Sequence, residues 1–160
     1  MGSGKTSVGR ALAERVDVEF FDTDAWVEGR EARSVAAIFQ ESGEAFFRAR
    51  EAEALEEACR LRRAVVATGG GLFAQEAHRD RIRGRGVSIW LDTPLDRIWE
   101  RCVLTADRPL WGTREELSAL LEARRESYAA ADWRITVADR GVQEIAQEAE
   151  RLITPQRREV

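Results

Sequence analysis

Apolar residues along this chain alternate between two spacings. After the opening glycines, Val8, Leu12 and Val16 recur every four positions and predict a helix with one buried face. Glu19-Phe20-Phe21-Asp22 predicts a short strand that ends in carboxylates. Ser34 is placed to cap a helix running through Phe39, and Gly43 separates it from a longer one carrying Phe46, Phe47, Ala54, Leu55 and Ala58. Ala64-Val65-Val66-Ala67 has the pattern of a strand buried on both faces, and it ends at Gly69-Gly70-Gly71. Val87 to Leu91 predicts the next strand, followed by a helix that begins near Pro94. The polar stretch from Thr105 to Thr113 contains Pro109 and Gly112 and predicts a loop. A helix through Tyr128, a strand over Arg134-Ile135-Thr136-Val137 and a last helix with Val142, Ile145, Ala149 and Leu152 complete the order. Residues 154–160 are expected to fray. Strands alternating with helices predict an α/β fold with a mainly parallel sheet. With no repeat or linker in 160 residues, one domain over 1–160 is expected.

Composition narrows the class of protein. At 44% hydrophobic and 34% charged residues, the chain has the balance of a soluble globular domain. No run approaches the roughly 18 apolar residues of a membrane span, and the opening residues lack the regions of a signal peptide. No membrane partner and a cytoplasmic location are therefore expected. A net charge of −4 argues against a nucleic-acid partner. Arg79, Arg81, Arg83 and Arg85 read as a solvated helix end, with a phosphate track as the alternative. Cys59 and Cys102 lack metal-ligand spacing and read as two reduced thiols. His78, the single histidine, reads as a helix surface residue.

One basic residue stands apart. Lys5 is the only lysine; the other 24 basic residues are arginine. It falls in Gly2-Ser3-Gly4-Lys5-Thr6, the second half of the phosphate-binding pattern GxxxxGK[ST]. Glycines there let successive backbone N–H groups point at phosphate oxygens, and the following helix turns its N-terminal dipole to the same anion. A compact ammonium suits the β- and γ-phosphates, and Thr6 suits Mg²⁺. The competing reading is a flexible glycine-rich terminus. The first glycine of the full pattern would stand before Met1, as would the strand that feeds such a loop. The expectation is that Met1 is an internal methionine of the loop and that a central strand precedes it.

Downstream of this loop the chain resembles the shikimate kinase family from Met1 to about Leu152. Phe21-Asp22-Thr23-Asp24 is similar to its DxD segment, and Gly43-Glu44 with Phe47-Arg48 and Glu51 to GExxFRxxE. Gly69-Gly70-Gly71 is similar to its triple glycine, Arg108-Pro109-Leu110 to its lid, and Arg124 with Tyr128 to RxxxY. The resemblance implies a P-loop αβα sandwich with a lid loop and a parallel sheet, four strands of five being present. It implies ATP and Mg²⁺ as cofactors and phosphorylation of the 3-hydroxyl of shikimate by a monomer.

The residue roles follow from the same resemblance. Gly2, Ser3, Gly4, Lys5, Thr6 and Ser7 would hold the ATP phosphates, with Arg101 and Arg140 on the adenine side. Thr6 and Asp22 would serve the metal. Asp24 would hold the acceptor hydroxyl, Arg48 and Arg124 would clamp the carboxylate, and the glycine triple would offer backbone N–H groups. Lys5, Asp24 and Arg108 form the catalytic set, Arg108 acting from the lid. Asp22 and Asp24 are expected to do different jobs, with ordinary acidic caps at a strand-to-helix turn as the competing reading, and Glu51 is placed to fix Arg48. Arg125 leaves the choice of Arg124 open. The rival readings are another small-metabolite P-loop kinase, such as a gluconate-type one, and a non-catalytic nucleotide-binding remnant.

Overall fold

A computed structural model describes residues 2–104 and 113–154. The order begins α1 (Lys5–Val16), β1 (Glu19–Asp22), α2 (Thr23–Glu31), α3 (Val35–Ala58) and β2 (Ala64–Ala67). It continues through α4 (Gly70–Ala74), α5 (Glu76–Arg83), β3 (Ile89–Asp92) and α6 (Leu95–Leu104). Then come α7 (Arg114–Ala129), β4 (Trp133–Thr136) and α8 (Val142–Ile153). The α/β class is borne out. The Ser34 hydroxyl caps α3 by accepting from the Ala37 N–H, and Gly43 interrupts that helix at φ 79°, a left-handed conformation open to glycine.

The sheet differs from the expected single layer. β1 pairs in parallel with β2, and β3 in parallel with β4, and among the described residues no strand hydrogen bonds join the two pairs. Residues of both β2 and β3 line a cavity of about 940 Å³, among them Val66, Ile89 and Leu91, with Ser3 and Lys5 also on its wall. This division leaves Ala64, Val65 and Val66 half-buried, where burial on both faces was expected. Among these residues of β2, only Ala67 is buried.

Helix α1 spans the division. Val8, Ala11 and Leu12 pack against Ile135 of β4, Val137 and the α8 residues Ile145, Ala146 and Ala149; Val65, Ile89 and Leu91 border the same cluster. The spacing of Val8 and Leu12 therefore marks the core face, as the pattern predicts. Gly9 lies against the Phe20 ring, which would stand 2.6 Å from any Cβ at that position. A second apolar cluster joins α2 to α3 through Val27, Ile38, Phe47 and Ala54. Both clusters hold the strand ends and helix starts that carry the polar residues described next.

Candidate active site

At the N-terminus of α1, Gly2 and Gly4 have φ of 62° and 88°, values that L side chains rarely adopt. Gly4 is the cap residue, and its carbonyl accepts from the Val8 N–H at 2.9 Å. Two downstream elements fix this loop: Arg101 donates to the Gly2 carbonyl at 2.8 Å, and the Thr93 hydroxyl to the Ser3 carbonyl at 3.3 Å. Lys5, Thr6 and Ser7 form the first turn of α1. The Thr6 hydroxyl donates to Asp22 Oδ2 at 2.8 Å. Asp22 Oδ1 meanwhile accepts from the Asp24 and Ala25 N–H groups at 3.0 and 3.2 Å, capping α2.

The strand ends where its pattern predicts. β1 ends at Asp22, whose side chain captures the next backbone N–H groups and starts a helix, so Asp24 lies in the first turn of α2. That position separates it from Asp22 in task. Asp24 faces Gly69, with a carboxylate oxygen 2.9 Å from where a Cβ would stand.

The glycine triple is where the other predicted residues meet. Gly69 is backed by Glu51 and Asp24, Gly70 by Arg124 and Tyr128, and Gly71 by the Arg48 guanidinium. Any Cβ on these glycines would meet those groups at or within contact distance, so the close approach requires glycine at each position. The side chains come from three helices: Asp24 from α2, Arg48 and Glu51 from α3, Arg124 and Tyr128 from α7. Arg125, its neighbour, turns away and pairs with Glu122 at 3.0 Å. The structure thus separates the two arginines by direction.

Arg48 is held on both sides. Its Nη1 donates to Glu51 at 2.5 Å, while Nε and Nη2 both donate to Glu44 Oε1, at 3.1 and 2.9 Å. Burial pushes the Glu51 carboxyl above its ordinary range, and the Arg48 charge opposes that shift. For Arg48, burial acts to lower the pKa, but the two carboxylates together raise it above the usual guanidinium value. Of these two partners Glu44 is exposed, whereas Glu51 is only 1% exposed.

Some assignments are placed elsewhere or lie outside the described residues. The Arg140 guanidinium is engaged by Glu144 at 2.7 Å and Glu148 at 2.5 Å. Arg97 on α6 reaches Asp139, so the segment bearing Arg140 runs beside the helix of Arg101. Arg108, with Pro109, Leu110 and Trp111, lies outside the described residues. Arg79 is not simply solvated: it donates to the Phe73 and Ala74 carbonyls and closes the end of α4. Thr23 went unread in the sequence although it stands between the two aspartates. It is fully buried, and its hydroxyl accepts from the Gly69 N–H at 3.0 Å. Tyr128 was read only as a spacing marker, yet its hydroxyl donates to the Gly70 carbonyl at 3.2 Å.

This arrangement, a left-handed glycine loop opening a helix and a glycine turn backed by carboxylates and two arginines, agrees with the comparisons. The family model for shikimate kinase matches residues 1–154. The chain belongs to the shikimate kinase family. A shikimate kinase of Cereibacter sphaeroides is 44% identical over 149 residues, covering 91% of this chain and 75% of that protein. One from Persephonella marina is 40% identical, covering 92% of this chain and 91% of that protein. Among solved structures, the shikimate kinase from Acinetobacter baumannii in complex with shikimate matches with a TM-score of 0.88 at 34% identity. That match covers 96% of this chain and 88% of that one.

Shikimate kinases use ATP and Mg²⁺, and the residues present suit both. Gly2 and Gly4 turn the backbone through left-handed conformations into a cradle before a helix N-terminus, the setting that receives phosphate oxygens. Thr6 Oγ1 and Asp22 Oδ2 already converge, an all-oxygen pair of the kind Mg²⁺ takes alongside phosphate and water. No helix among the described residues is long and apolar enough to cross a membrane.

Proposed function

We propose that this chain phosphorylates the 3-hydroxyl of shikimate at the expense of ATP, acting as a monomer in the cytoplasm. The single observation that carries the reading is the convergence of Asp24, Arg48 and Arg124 on the glycine triple. A small acid bearing ring hydroxyls needs guanidinium donors at one end and a hydroxyl acceptor at the other, and this turn collects both. Arg48 and Arg124 bind the carboxylate; the backbone N–H groups of Gly70 and Gly71 contact the ring oxygens, and Gly69, its own N–H held by Thr23, lines the site beside Asp24. Asp24 accepts the hydrogen of the reacting hydroxyl and orients its oxygen, supplying positioning and a proton acceptor.

Gly2, Ser3, Gly4 and Ser7 hold phosphate oxygens through the start of α1, and Lys5 places its ammonium against the charge that grows on them. Thr6 and Asp22 would hold Mg²⁺, which would supply positive charge against the phosphates. Arg101 and Arg140 stand on the adenine side. Arg108 is assigned by its family motif to the transferring phosphoryl group. The test is ADP release coupled to an optical assay, with shikimate compared against gluconate and other hydroxy acids. Shikimate-dependent turnover supports the reading. Turnover with gluconate alone moves the chain to the other kinase class, and nucleotide binding without turnover makes it a binding remnant.

A further inference from the structure

Between the two aspartates of the DxD segment lies a residue with no assigned role in the reaction. Thr23 is fully buried at the junction of β1 and α2. Its hydroxyl accepts from the Gly69 N–H at 3.0 Å and donates towards the Ala67 carbonyl at 3.4 Å. One side chain therefore ties the start of the helix carrying Asp24 to both sides of Thr68, where β2 gives way to the glycine triple. Gly69 is itself buried and lies against the carboxylates of Asp24 and Glu51.

We propose that Thr23 is a positioning residue for the substrate half of the site. Its hydroxyl sets the distance between Asp24 and the Gly69–Gly71 backbone. The inference rests on the reading that those groups hold shikimate. Without the hydroxyl, the Gly69 N–H is buried with no partner, and the turn must move to satisfy it. Moving it shifts the glycines against Asp24, Arg48 and Arg124 together, because each glycine is in contact with one of them. The phosphate loop has its own anchors, at Arg101 and Thr93, and does not depend on this bond.

The test uses Thr23→Val, Thr23→Ala and Thr23→Ser, measured with shikimate and ATP varied separately. Valine keeps the shape and removes the hydroxyl; alanine removes it with less crowding, so a folded hydroxyl-free form is available from one or the other. The expected result is a KM for shikimate raised about tenfold in both, with the KM for ATP within about twofold of wild type. Thr23→Ser is expected to restore the shikimate KM to within about threefold. Equal shifts in both KM values, an unchanged shikimate KM, or no rescue by serine would overturn the proposal. If the wild type does not turn over shikimate, the functional reading fails first and the proposal with it. Turnover by the wild type with unchanged variants sinks the proposal alone.

Discussion

Asp22 divides its two carboxylate oxygens between tasks that mutagenesis can separate. Oδ1 caps α2, and Oδ2 receives the Thr6 hydroxyl. Asparagine is as good a cap as aspartate but carries no charge. Asp22→Asn is therefore expected to leave the thermal midpoint nearly unchanged while raising the Mg²⁺ concentration needed for half-maximal rate. Asp22→Ala should lose both functions, with about 1 kcal/mol of stability gone in a denaturant titration. Arg48 offers a second pair of opposed outcomes. Arg48→Ala should raise the KM for shikimate far more than that for ATP; equal effects would count against the clamp. Glu44→Gln should shift the same KM downward, by up to about fivefold, because an exposed pair is worth at most about 1 kcal/mol. A raised KM in that variant would mean that Glu44 holds Arg48 in place for substrate.

At the scale of elements, the helix ends carry the testable content. α2 closes on Ala32, which sits at φ 52° and ψ 31°, in the left-handed region. A Cβ there costs roughly 1–2 kcal/mol, and glycine gives back about 0.4–1 through the greater freedom of its unfolded chain. Ala32→Gly is thus expected to stabilise by up to about 1.6 kcal/mol, read as a rise in thermal midpoint. The start of β3 is tied to the turn before β4: Asp132 accepts from both the hydroxyl and the N–H of Ser88 at 2.7 Å. Those bonds hold its carboxyl below the ordinary range. A depressed acid contributes stability that is complete above its unfolded pKa of about 3.9 and is lost as pH falls through the lower folded value. The stability gap between wild type and Asp132→Asn should therefore narrow below about pH 4. A gap independent of pH would remove the carboxylate's charge from the account. Local pattern made most of these elements readable, since Val8 and Leu12 mark a core face and Ser34 a cap without reference to anything distant. Thr113 with Glu116 forms a capping box whose letters were equally visible but lay beside a polar stretch read as loop. The place of Asp24 was less readable: the alternation of a strand gives no warning that its last side chain will turn the backbone into a helix.

At the scale of the whole molecule, sequence motifs named the site's members, and folding supplied their meeting point. Arg48 and Gly71 are far apart in the chain, and only the packing of α3 on the glycine turn reveals that they touch. Likewise Arg124 and Arg125 are indistinguishable as letters; the direction of α7 separates them. The pairing of strands was least readable, because four short apolar runs carry no information on which edges join. That pairing leaves α1 as the element whose apolar face meets the border of both sheets. The same helix opens on the glycine cradle. Occupation of the nucleotide site and resistance to unfolding are therefore linked quantities. At a hundred times its dissociation constant, a nucleotide that binds only the folded form adds about 2.7 kcal/mol. The thermal midpoint should climb with added Mg²⁺ and ATP analogue, and Lys5→Met should flatten that climb. If the wild-type midpoint is indifferent to nucleotide, the cradle does not bind it. In a cell, such linkage would make the protein's lifetime against proteolysis follow the supply of its own phosphoryl donor.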